Sequence, residues 1–175
     1  MQDLVAWKER KDRKPLILLG ARQVGKTYIL KEFGRRKFEN VAYINCDNNA
    51  MVRDLFMPDY NIERILLTIG AITGINIQAG KTLIIMDEIQ ELRRGLASLK
   101  YFCENAREYH VAVAGSLLGL TLHQGESYPV GKVNTLEMFP MTYEEFLWAR
   151  GFKQQMDLLK NGMWDIVKSL RTTYI

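Results

Sequence analysis

Apolar positions along this chain fall into two patterns that alternate. Short unbroken apolar runs occupy residues 15–19, 41–45, 82–86 and 111–114, and a fifth, weaker one lies near 133–138. Compact apolar runs of this length predict strands covered on both faces. Between them apolar residues recur at helical spacing. Leu4, Val5 and Trp7 mark one face of a short helix within residues 1–14. A second helix starts near Lys26 and is expected to stop at Phe33, where Gly34 and the cations Arg35, Arg36 and Lys37 follow. Residues 48–57 and 61–74 predict two helices separated by Pro58-Asp59, the second with a stripe of Ile62, Ile65, Leu66, Ile69 and Ile72. Residues 95–108 carry Leu96, Leu99, Phe102, Cys103 and Ala106 on one face. Thr142 and Glu145 have the capping-box spacing and open a helix through Trp148; the tail, 152–175, predicts further helix broken at Asn161-Gly162. Strands alternating with helices predict a parallel α/β sheet with right-handed crossovers.

The chemistry sits where strands end. Directly after the first strand comes Gly20-Ala21-Arg22-Gln23-Val24-Gly25-Lys26-Thr27, which opens the next helix. This is the G-x-x-x-x-G-K-[ST] pattern, the P-loop or Walker A motif. Its glycines let the backbone curl with N–H groups inward around a polyphosphate, and the helix adds its own free N–H groups and positive dipole end. Lys26 supplies a point charge for the β- and γ-phosphates, and Thr27 a hydroxyl for Mg²⁺. Arg22 is expected to face solvent. The third strand ends in Asp87-Glu88, the Walker B form. Asp87 would hold Mg²⁺ through water, and Glu88 would polarise the water that attacks the γ-phosphate. Ser116, just beyond the fourth strand, is a candidate sensor of the γ-phosphate; an ordinary turn residue is the other reading. Asp47, ending the second strand, either lies near this site or caps the following helix. His110 and His123 stand apart from any partner with ligand spacing, so no histidine metal site is expected.

Bulk properties narrow the class. A chain of 175 residues with 47% hydrophobic and 25% charged residues can build one domain with a real core. The net charge of +4 is spread among acids, as in Lys8-Glu9-Arg10-Lys11-Asp12, which describes a solvated surface rather than a nucleic-acid footprint. No apolar run approaches the ~20 residues needed to cross a bilayer, and the N-terminus lacks the form of a signal peptide. Cys46 and Cys103 share no metal-type spacing and read as reduced thiols of a cytoplasmic protein.

Taken together, GARQVGKT, TLIIMDEIQ, SLKYFCENAREYH, AGSLLG, YPVGKV and EMFPMTYEEFL give the chain a specific likeness. Over about residues 4–155 it resembles a group of prokaryotic AAA+-type P-loop ATPases. These are ATP-binding proteins that normally continue into a helical region and a C-terminal domain of unknown function. The resemblance implies an ASCE-type three-layer sandwich with a mainly parallel five-stranded sheet in the order 5-1-4-3-2, the Walker A strand central. It implies Mg·ATP as ligand, with Gly20, Gly25, Lys26, Thr27, Asp87, Glu88 and Ser116 matching the family's pattern. Residues 1–150 would be the ATPase domain and 151–175 the start of a truncated helical region, where Met156, Leu159, Trp164, Val167 and Leu170 form apolar faces. Wider relatives often carry Gly-Arg before the fifth strand, whereas this chain has Gly131-Lys132. An ammonium cannot make the planar bidentate contact of an arginine finger, so slow turnover is expected.

The function expected on these grounds is Mg²⁺-dependent hydrolysis of ATP to ADP and phosphate. The alternatives are a weakly catalytic nucleotide switch or truncated remnant, and a P-loop kinase for a small molecule. A second copy of the chain or a missing C-terminal domain is the expected partner; neither a membrane nor a nucleic-acid motif is indicated.

Overall fold

The structure, a computed structural model, describes residues 1–47, 49–116, 128–152, 157–158, 160–163 and 165–166. The chain divides into two compact units, Met1–Met138 and Phe139–Ile175.

In the first unit, five strands form one sheet: β1 (Leu16–Gly20), β2 (Asn40–Asn45), β3 (Thr82–Asp87), β4 (His110–Ser116) and β5 (Asn134–Met138). Their spatial order is β2-β3-β4-β1-β5, and every pairing is parallel. This is the expected 5-1-4-3-2 arrangement read from the opposite edge. The unbroken apolar runs have the cause the pattern suggested, because alternate residues feed two cores. Ile17, Ile84, Met86, Val111 and Val113 pack on one face with Ile65 and Ile69 of α3 (Ile62–Thr73) and Leu96, Leu99 and Phe102 of α4 (Gly95–Asn105). Leu16, Leu18, Leu83, Ile85, Ala112 and Ala114 pack on the other. There they meet Leu4 and Trp7 of α1 (Gln2–Glu9) and Leu30 and Phe33 of α2 (Lys26–Lys37). Helix, sheet and helix make three layers.

Two local expectations are corrected. Helix α2 does not stop at Phe33; it runs through Gly34 to Lys37. Gly34 is buried, and a Cβ there would meet Val41 Cγ2 at 2.5 Å and Leu83 Cδ2 at 3.3 Å. The glycine permits close approach of helix to sheet instead of ending the helix. Residues 48–57 are not a helix: Asn48 lies outside the described residues, and 50–56 form successive turns. The reason is local competition. Asn49 Oδ1 accepts the Met51 N–H at 3.1 Å, and Asn49 Nδ2 donates to the Asn45 carbonyl at 2.9 Å. Such side-chain bonds offer the backbone an alternative to the helical ladder. Val52, Leu55 and Phe56 still reach the core from these turns.

In the second unit, α5 (Tyr143–Ala149) is opened by a complete capping box: Thr142 accepts the Glu145 N–H, and Glu145 accepts the Thr142 N–H. Leu147 packs there with Phe152 and Leu158. Met156, Leu159, Trp164, Val167 and Leu170 lie outside the described residues, as does His123.

His110, at the start of β4, carries a testable electrostatic consequence. Its ring stands edge-on to Trp7 and Phe38, with centroids 6.0 and 4.9 Å away, and its Nδ1 has no hydrogen-bond partner among the described residues. Burial first, then the charges of Arg13 and Lys8, push its pKa down to about 4. The unfolded chain takes up the proton near 6.5, so the unfolded state binds more protons between these values. Stability is therefore intact above about pH 6.5 and falls as pH drops toward 4, by about 1–3 kcal/mol from this group. Urea unfolding of wild type and His110→Phe at pH 7 and 4.5 measures it. The wild type should lose more stability than the variant on acidification; equal losses would refute the assignment.

Candidate functional site

The carboxyl ends of four adjacent strands, β2, β3, β4 and β1, lie along one side of the sheet. Register pairs Gly20 with Ser116, Asp87 with Ala114 and Asn45 with Asp87. Ligand sites in open parallel sheets lie beyond such strand ends.

Residues 20–27 form the turn between β1 and α2. Gly20 has φ +156°, and a Cβ there would lie 2.3 Å from the Met138 carbonyl oxygen at the end of β5. Gly25, the N-cap of α2, has φ +96°, a left-handed conformation that suits glycine. Gln23 has φ +63° without that freedom. No side chain caps this end of the 12-residue α2, so its first-turn N–H groups are available to an anion. Ala21, Arg22 and Gln23 are exposed and Val24 is half-buried.

Lys26 is buried, and its Nζ donates to the carbonyls of Gly20 at 3.0 Å and Ala21 at 2.7 Å. The loop thus folds around its own ammonium. Thr27 Oγ1 donates to Asp87 Oδ2 at 2.5 Å. Two residues sixty positions apart, read separately as metal ligands, therefore touch. Their donor set of one hydroxyl and one carboxylate suits a hard cation such as Mg²⁺.

Asp87 has a partner that the motifs did not supply. The Tyr43 hydroxyl donates to the same Oδ2 at 3.3 Å, and Lys31 Nζ lies 3.3 Å from the centroid of the Tyr43 ring. Burial, then the Asp87 carboxylate, push the Tyr43 phenol up to about 12, so it remains a donor at neutral pH. Cys46 is likewise pushed up to about 12, by burial first and then by Asp87 and Glu88, and is an unreactive thiol. Both cysteines are free and buried.

Glu88 is half-buried and has φ +53° and ψ +47°, a left-handed backbone unusual for a residue with a Cβ. Its Oε2 accepts from Gln90 Nε2 at 2.5 Å, while Gln90 Oε1 is buried without a partner among the described residues. An unsatisfied buried carbonyl costs about 1–3 kcal/mol. Sequence spacing gave no cue to Gln90; Tyr43 needed knowledge of the β2–β3 register.

The other candidates fall as follows. The backbone of Ser116 ends β4 opposite Gly20, and its side chain lies outside the described residues. Asp47 is exposed, and with turns instead of a helix after it, capping that helix is ruled out. Lys132 Nζ is paired with Glu104 Oε1 at 2.8 Å. Among the described residues, no helix is long and apolar enough to cross a membrane.

The chain is similar to known proteins in sequence and in fold. It is 31% identical over 144 residues to the uncharacterized protein MJ1637 of Methanocaldococcus jannaschii. That match covers 78% of this chain and 28% of the relative, so the chain spans under a third of that protein's length. Two mutants of RuvB from Thermotoga maritima superpose with a TM-score of 0.53 each, at 18% and 17% identity. They cover 90% and 86% of this chain, which spans 48% of each of theirs. At that identity the likeness shows a shared P-loop α/β fold. A family model described as AAA domain matches residues 12–147, taking in both strand-end motifs. The chain belongs to the AAA domain family.

Proposed function

We propose that this domain binds Mg·ATP and hydrolyses it to ADP and phosphate. The observation that carries the reading is the 2.5 Å contact between Thr27 Oγ1 and Asp87 Oδ2, which unites the P-loop hydroxyl with the carboxylate ending β3. The inward loop amides and the amino end of α2 take the phosphate oxygens. Lys26 exchanges its two loop carbonyls for the β- and γ-phosphates. Thr27 and Asp87 are the residues that would hold Mg²⁺, whose charge would offset that developing on the phosphates. Tyr43 keeps its hydrogen bond to Asp87, fixing the carboxylate. Glu88 accepts a proton from water as the water oxygen bonds to the γ-phosphorus and the bond to the β-phosphate oxygen breaks. ADP carries away the electron pair of that bond. Ser116 is proposed as the polar group that reads the γ-phosphate.

A second reading, a nucleotide switch with little turnover, is favoured by the Lys132–Glu104 pair. That pair occupies the cation standing where an arginine is often found. Phosphate release from Mg·ATP separates the two. A rate clearly above buffer, lost on metal chelation, supports hydrolysis. A chain that binds nucleotide without exceeding buffer is the switch. Faster transfer to a hydroxyl acceptor than to water would make it a kinase.

A further inference from the structure

Gln90 stands in the 3₁₀ turn Ile89–Glu91 and is 7% exposed. Its neighbours Ile89 and Leu92 are buried hydrophobics. A side chain that served only to fill this space would be better apolar, because an apolar group leaves no carbonyl unpaired. Among the described residues, Gln90 instead leaves Oε1 unpartnered and gives its amide to the 2.5 Å hydrogen bond with Glu88 Oε2. Departures from local packing rules of this kind gather at functional sites.

The recipient is restrained twice. The left-handed backbone at Glu88, φ +53°, sets the direction in which its Cβ leaves the chain. The Gln90 amide then fixes one carboxylate oxygen, so the torsions of a flexible side chain are no longer free. A base works only when held in line with its proton donor. We propose that Gln90 is a positioning residue that regulates Glu88. Its amide holds Oε2 so that the other carboxylate oxygen meets the attacking water. This rests on Glu88 being the base in the reading above.

The test uses the full chain with Gln90→Met and Gln90→Glu, each alone and combined with Glu88→Gln. Methionine keeps the volume and removes the orphaned carbonyl. Glutamate keeps the shape and sets an acceptor against an acceptor. Each single variant should lower kcat by about tenfold to a hundredfold, with KM for Mg·ATP within threefold of wild type. Gln90→Met should melt no lower than wild type, an outcome that a purely structural role does not give. Neither change should slow the Glu88→Gln enzyme further. A kcat within threefold of wild type in both variants, while Glu88→Gln alone is slow, overturns the role of Gln90 and leaves the ATPase reading standing. Equal loss in the Glu88→Gln background also overturns it, because Gln90 would then act independently of the base. Wild-type turnover in Glu88→Gln itself overturns both.

Discussion

Glu88→Gln is expected to slow single-turnover ATP hydrolysis by about 10²–10⁴-fold while leaving nucleotide affinity within a few fold of wild type. The replacement keeps the shape of the side chain and its reach toward Gln90, but an amide cannot take the proton released by the attacking water. It also leaves Lys26, Thr27 and Asp87 untouched, so the phosphates and the metal keep their ligands. Rapid mixing of excess enzyme with labelled ATP reads the chemical step without interference from product release. Equal rates in the two enzymes would remove Glu88 from the mechanism. A fall in affinity matching the fall in rate would instead make Glu88 a binding residue.

Lys26→Ala is expected to abolish nucleotide binding at concentrations that saturate the wild type. Lys26 is 6% exposed, and among the described residues its ammonium is held by the dipoles of two loop carbonyls. It therefore brings to the loop a positive charge that no acidic side chain neutralises within those contacts. A polyphosphate would supply the neutralising negative charge, and alanine would leave the phosphates with loop amides alone. Mg·ATP at a hundred times Kd should stabilise wild type by about 2.7 kcal/mol, several degrees in Tm for a domain of this size. The variant should show no shift at that concentration. A full shift in Lys26→Ala would mean that nucleotide sits elsewhere.

What could be read from the sequence divides along a physical line. The strands, the glycine-bearing turn at 20–27 and the acidic end of β3 were legible because each is a contiguous pattern with a local cause. The strand order came through the resemblance, and the paired register Gly20–Ser116 and Asp87–Ala114 agrees with it. Errors arose where a distant or competing contact decides the conformation. Gly34 reads as a stop signal when only its own helix is considered, and as a close-packing residue once Val41 and Leu83 are beside it. Residues 50–56 carry helical spacing, but Asn49 engages the backbone before a helix can start. Tyr43 and Gln90 carry no local sequence signal for a related reason. One becomes significant through the pairing of β2 with β3, and the other through a side-chain bond across a tight turn.

The contact at Gly34 also has a mechanical consequence. With no Cβ between helix and strands, α2 rests on Val41 and Leu83 eight residues from Lys26. At 1.5 Å per residue that point is a fulcrum about 12 Å from the amino end of the helix. A tilt of about 5° there displaces Lys26 by about 1 Å, and displacements of about 1 Å can change reaction rates about a hundredfold. Helix α2 would thus act as a lever arm whose pivot is a missing side chain, and bulk added at position 34 would be expected to shift the alignment of residues 20–27.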